Sequence, residues 1–274
     1  MTAIMGIVNV TPDSFSDGGR FLAADAAIAH GLSLRIDGAD ILDVGGESTR
    51  PGAERVTPAE EQARVLPVVA ALAAEGALVS IDTMNASTAQ AAIDAGARIV
   101  NDVSGGLADT DMLGVVAASD VDVVLQHWRG HSADMYAHAA YADLVRDLVA
   151  ELEGRAEAAA AAGISPERVI LDPGIGFGKR GPQNWEALRA LERIVAIGPR
   201  VLVGTSRKRF LAEALAPADG AEVSTRRRDL ATAVTSVLAT QAGAWAVRVH
   251  DAAATRDALA VWARWSGEND GGGA

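Results

Sequence analysis

A chain of 274 residues, 49% of them hydrophobic, can form one large α/β domain or two smaller ones around a substantial core. It has no cysteine, which excludes disulfides, thiolate zinc sites and cysteine nucleophiles. A formal net charge of -12 repels nucleic acid and anionic membrane, and an aromatic content of 4% argues against an RNA-stacking platform, so any anionic ligand must be met by a local basic cluster.

The apolar run 4–8 ends on Asn9 and passes into a polar segment punctuated by Pro12, Gly18 and Gly19, which reads as a buried strand opening into a loop. Helical apolar spacing follows over 23–37 and stops near Gly38. A second buried run over 41–45 leads into the polar loop 46–52, and Thr57 with Pro58 marks the cap and first residue of a helix. The alternation then continues. The run 78–81 closes on Asp82 before a helix over 86–95, 99–100 closes on Asn101 and Asp102, and 121–125 closes on Gln126 and His127 before a long helix over 141–162. The run 169–171 closes on Asp172 before a helix over 182–196, and 201–203 closes on Gly204 and the basic segment 206–209 before a helix over 225–242. Finally 246–249 closes on His250 and Asp251, and a last helix runs to about Arg264. Eight such units predict a single-domain (β/α)8 TIM barrel over residues 1–266, with a low-complexity, disordered tail over 267–274. The competing architecture, an open doubly wound sheet, calls for a Gly-rich dinucleotide turn after the first strand, where Asn9-Val10-Thr11-Pro12 stands instead. There is no signal-peptide pattern and no apolar run of roughly 18 residues, so a cytoplasmic enzyme is expected.

Closing a barrel would gather Asn9, Asp82, Asn101, Asp172, Lys208, Arg248 and His250 into one mouth, with Asp17, Thr49 and Arg50 on adjoining loops. Two carboxylates and an amide suit a planar heterocycle that presents an amino group and ring N–H beside a carbonyl. Local roles compete: Asp82 as a helix cap, Asp172 as a turn former, Asn101 as a loop residue. The basic residues of the last two strands fall where barrels hold phosphate, the alternative for 206–209 being a solvated turn. Arg248 stands between two valines and faces either the mouth or the helix layer. Asn9 can offer an amide oxygen to a hard cation such as Mg2+, or act as a cap or turn residue. His127 reads equally as a structural group or a base, while His131 and His138 lie in a polar loop and are expected to be solvated.

Seven segments taken in order, 9–19, 43–52, 80–83, 101–102, 172–179, 206–208 and 248–251, resemble those of bacterial dihydropteroate synthases, and the resemblance runs from Met5 to about Trp265. It implies transfer of 6-hydroxymethyl-7,8-dihydropterin diphosphate onto 4-aminobenzoate, with release of diphosphate. By that resemblance Asp82, Asn101, Gln126, Asp172 and Lys208 hold the pterin. Asn9, Arg248 and His250 hold the diphosphate, with Asn9 also on Mg2+. Phe15, Thr49, Arg50, Pro51, Phe177 and Arg209 form the aminobenzoate pocket, and Asp17, Lys208, Arg248 and His250 serve catalysis. The resemblance further implies a homodimer and a sulfonamide target. Two residues depart from the pattern: Gln126, where many relatives have Met, adds a polar group that needs a partner, and Arg209 stands where many have Ser. Two rival expectations are a methyltetrahydrofolate-type methyltransferase barrel, which needs no diphosphate clamp, and a non-catalytic pterin-binding paralogue.

Overall fold

The computed structural model describes residues 1–10, 20–48, 56–131, 136, 139–216 and 221–267, with residues 20–22 as backbone alone. Eight parallel strands form a closed barrel: β1 (Ala3–Asn9), β2 (Ile41–Gly45), β3 (Leu78–Asp82), β4 (Ile99–Asp102), β5 (Asp122–Gln126), β6 (Val169–Asp172), β7 (Arg200–Val203) and β8 (Ala246–Val249). β8 pairs back onto β1, with Met5 opposite Arg248. Around the barrel lie α1 (Arg20–Ile36), α2 (Pro58–Ala74), α3 (Ala86–Asp94), α4 (Met112–Ala117), α5 (Leu144–Ala161), α6 (Gly181–Arg189), α7 (Leu191–Val195), α8 (Arg209–Leu215), α9 (Thr225–Gln241) and α10 (Ala252–Trp265). None of the described helices is long and apolar enough to cross a membrane.

The two-residue period of the strands sorts their side chains. Outward residues such as Val8, Val44, Ile81, Val123 and Leu171 join the large cluster between barrel and helices. Inward residues Met5, Ile41, Ile99, Val124, Ile170, Leu202 and Ala246 form a separate apolar cluster that fills the barrel interior. Two residues further along each of these strands, the inward positions are Ile7, Asp43, Asn101, Gln126, Asp172, Gly204 and Arg248, and β3 adds Asp82. An apolar plug therefore lies beneath a ring dominated by polar side chains, and the strand period alone sets their common direction.

Helix starts carry the expected chemistry. Thr57 accepts from Glu60 N at 3.2 Å at the head of α2, with Pro58 at the first helical position, where its missing N–H costs nothing. Asp143 and Asp251 cap α5 and α10 by accepting from Arg146 N at 3.0 Å and Ala254 N at 2.9 Å. Two details differ from the sequence expectation. The helix predicted over 182–196 is broken at Ala190, whose φ and ψ of -94° and 7° tighten the chain into a bond from its N–H to Ala187 O. The six-residue α4 is too short for a helical period to announce it.

Candidate active site

The carboxyl ends of the strands open into a cavity of about 1090 Å3. The inward-facing Asn9, Asp82, Asn101, Gln126, Asp172 and Arg248 line it, as do Phe177, Lys208, Arg209 and His250 from the strand-end segments. Asp82, Asn101, Gln126 and Asp172 belong to the strands themselves, not to the loops beyond them, and Asn85, not Asp82, occupies the N-cap position of α3.

Arg248 faces inward and ties the ring together. Its Nε donates to Asp43 Oδ2 at 2.6 Å and an Nη donates to Asp82 Oδ2 at 2.7 Å. Asp43, fully buried, also accepts from Asn101 Nδ2 at 3.0 Å. Burial works against the charge of the guanidinium, but Asp43 and Asp82 outweigh it and hold its pKa above the ordinary arginine range. Burial pushes Asp82 up to about 7; Arg248 opposes that rise and the negative charge of Asp43 adds to it. Asp43 was not among the sequence-predicted site residues. The signal was present in its position, an acid between Leu42 and Val44 in a buried strand, the same alternation that singles out Arg248.

A second pair lies across the mouth. Burial raises the pKa of Asp172, against the opposing effects of Lys208 and of the Gly174 N–H, which donates to its Oδ1 at 2.7 Å. The turn-forming role foreseen for Asp172 thus occupies that oxygen. Lys208 is pushed down to about 8 by burial, with Asp172 holding it up. Its Nζ donates to Ile175 O and lies 4.8 Å from the centre of the Phe177 ring, a cation–π arrangement. Gln126 finds its partner by donating to Val103 O at 3.2 Å.

The basic segment divides. Arg207, with φ at +57°, turns to Asp229 of α9 and makes a two-pronged pair at 2.6 and 2.9 Å, so its charge is already answered. Ser206 Oγ lies 2.9 Å from His250 Nδ1 and accepts from His250 N at 3.1 Å, which joins the ends of β7 and β8. Arg209 pairs with Glu213 at 2.8 Å and is largely exposed at the rim. His131 packs edge-on against Trp128 at 5.0 Å between ring centres, and its Nδ1 is buried, so the solvated role expected for it is not what the fold provides. Phe15, Asp17, Thr49, Arg50 and Pro51 lie outside the described residues, as do His138 and all of the predicted tail except Gly267.

The chain matches the family model described as pterin binding enzyme over residues 5–250. It is 52% identical over 263 residues to the dihydropteroate synthase of Mycobacterium leprae, an alignment covering 96% of this chain and 93% of that one. Two solved structures of Xanthomonas albilineans dihydropteroate synthase superpose closely. The one with 4-aminobenzoic acid has a TM-score of 0.88 at 44% identity and covers 97% of this chain and 93% of the other. The one in complex with 7,8-dihydropteroate has a TM-score of 0.85 at 41% identity and covers 97% and 94%. These likenesses do not favour the methyltransferase barrel or the non-catalytic paralogue. The chain belongs to the pterin-binding enzymes and, within them, to the dihydropteroate synthase family.

Proposed function

We propose that this chain joins 6-hydroxymethyl-7,8-dihydropterin diphosphate to 4-aminobenzoate in the cavity described above, forming the bond between the aminobenzoate nitrogen and the pterin methylene while the methylene–oxygen bond to diphosphate breaks. The observation that carries the reading is the inward ring of Asp82, Asn101, Asp172 and Lys208 around Arg248 at one barrel mouth. Asp82 and Asp172 accept from the N–H groups of the pterin, Asn101 both donates and accepts, and Lys208 donates to its carbonyl. Gln126 lies beside them at the pocket wall. Holding the N–H groups on carboxylates lets the electron-rich ring carry the positive charge that grows on the methylene as diphosphate departs. Arg248 and His250 face the negative charge that grows on the leaving group.

Asn9 offers an amide oxygen to the cavity, and among the described residues no group of three His, Asp or Glu side chains is placed to hold a metal. An amide oxygen is a donor that Mg2+ accepts, so Asn9 would be the residue to hold the ion beside the diphosphate. When bound, Mg2+ supplies Lewis-acid stabilisation of the leaving diphosphate. The amine of 4-aminobenzoate attacks without a strong base, so Phe177 and Arg209, with Phe15, Asp17, Thr49, Arg50 and Pro51, orient it and keep water from the methylene. Sulfonamides share its para-amino aryl group and compete for the same pocket.

The reading includes a cytoplasmic homodimer. On α9 the usual amphipathic order is inverted: Asp229, Thr232, Thr235 and Ser236 are buried against the barrel, while Leu230, Val234 and Leu238 are 66%, 53% and 55% exposed. Spaced four apart, they form one apolar stripe, with Val261 and Trp265 also exposed on α10, against which α9 packs. A second copy of the chain covers it in this reading, and sedimentation of Val234→Asp alongside wild type tests it: a monomer is expected for the variant. The activity itself is tested by incubating the protein with the pterin diphosphate, Mg2+ and 4-aminobenzoate and detecting 7,8-dihydropteroate; a folded protein that makes none overturns the assignment.

A further inference from the structure

At the cavity wall, with Lys179 among its lining residues, lies a second cluster of ionisable groups that the reaction just described does not use. Lys179, in the segment between β6 and α6, is 1% exposed. Its Nζ donates to Gly174 O at 3.1 Å and to Phe177 O at 3.2 Å, and lies 3.1 Å from His127 Nδ1. His127 is also buried, and burial together with the charge of Lys179 lowers its pKa to about 4. It is therefore neutral at pH 7. Glu151 Oε2 lies 2.9 Å from its Nε2, while its Nδ1 faces Lys179. Arg129 pairs with Glu151 in turn. Asp172 and Lys208, from β6 and from the segment after β7, complete the charged groups that act on Lys179.

We propose that Lys179 is a positioning residue of this enzyme, its buried amine bracing the segment 174–178 through two of its carbonyls so that Phe177 faces the aminobenzoate and Ile175 O receives Lys208. Three observations converge on this. The two carbonyls that Lys179 holds bracket the segment, and between them stand Ile175, whose carbonyl accepts from Lys208 Nζ, and Gly176, whose N–H donates to Asn184 Oδ1 at 2.6 Å. The segment turns at two glycines where a side chain would be strained by a left-handed φ and by close neighbours. A Cβ on Gly174, at φ +62°, would stand 2.4 Å from His127 O, and one on Gly176, at φ +84°, would stand 2.9 Å from Lys208 Cδ. Lastly, burying a lysine amine costs free energy where burying a methionine of similar length gains it, and burial pushes this one down to about 7. What it contributes in return is a set of directed N–H donors that an apolar side chain lacks.

The inference rests on the reading of Phe177 as an aminobenzoate contact, so Lys179→Met and Phe177→Ala are assayed side by side with 4-aminobenzoate and the pterin diphosphate varied separately. Lys179→Met is expected to raise KM for 4-aminobenzoate about tenfold, as a displaced orienting group does, while KM for the pterin diphosphate stays within about threefold because Asp82 and Asp172 remain. Backbone amides of 174–178 exchange hydrogen faster in the same variant, with the strand amides unchanged. Unaltered KM values in a folded Lys179→Met, or a parallel change in both KM values, overturn the positioning role. In the first case, a raised aminobenzoate KM in Phe177→Ala shows that the site reading stands and the bracing fails; no effect of Phe177→Ala shows that the reading of Phe177 itself fails. Should the methionine variant not fold, Lys179→Gln, whose shorter stem no longer reaches both carbonyls, is expected to show the same split at about tenfold; absence of the split there is equally decisive.

Discussion

Replacing Asp43 by asparagine should damage the site from a position that does not line the cavity. The carboxylate is fully buried and one oxygen, Oδ2, accepts both from Arg248 Nε at 2.6 Å and from Asn101 Nδ2 at 3.0 Å. Its other oxygen has no partner among the described residues. Asparagine preserves the shape and one acceptor. Once that oxygen faces Arg248 and Asn101, however, the new NH2 lies where Oδ1 was, with nothing to receive its hydrogens. An unsatisfied buried amide costs about 1–3 kcal/mol, and losing the charge assistance to Arg248 adds about 1 kcal/mol. The sum, about 2–4 kcal/mol, stays below the ~3–5 kcal/mol of a buried pair broken outright, because Arg248 keeps Asp82 at 2.7 Å and its side chain is 21% exposed. Arg248 then pivots on one anchor where it had two, and kcat/KM should fall by about 10- to 100-fold. Urea unfolding measures the first effect and steady-state turnover the second. A variant whose stability and kcat/KM both match wild type would refute the view that Asp43 holds Arg248 in place.

Three other outcomes follow from the geometry. The affinity for a pterin without diphosphate, measured by calorimetry, should be bell-shaped in pH: burial leaves Asp82 protonated until about 7, so affinity rises as it ionises, and it falls again as Lys208 loses its proton near about 8. A flat profile across that range counts against both groups as pterin contacts. Gly174→Ala forces a Cβ toward His127 O at 2.4 Å from a left-handed backbone and should cost about 2–3 kcal/mol of stability in denaturant titration; a loss under about 0.5 kcal/mol would mean that the segment 174–178 yields easily. Asp251→Ala removes the cap of α10, in which Asp251 accepts from Ala254 N at 2.9 Å, and should lower stability by about 1 kcal/mol, read as a fall in Tm.

The strands were legible because their period is short and local. Short runs of valine, leucine and isoleucine, most of them ended by a polar side chain, announce a buried parallel strand wherever it lies, and eight of them in order leave few architectures. The polar residues could be named for the same reason. Ala190 and α4 were not legible, because a break of one residue and a helix of six are shorter than the window of about 11 residues or more over which a helical period shows.

What the sequence determined by itself was the order of elements and the residues available at each strand end, both of which follow from local periodicity. Only the tertiary structure decided which of them meet. Arg248 and Asp43 are 205 residues apart and become partners because β8 closes onto β1, which puts both on the inward face of one ring. Arg207 and Lys208 are adjacent in the chain yet one turns to Asp229 on α9 and the other enters the cavity, a choice set by the left-handed turn at Arg207 and by a carboxylate 22 residues away. Likewise His127 reads as an ambiguous histidine until the segment that carries Lys179 is packed against it, because the partner of a buried charge is fixed by closure of the barrel and not by neighbours in the chain.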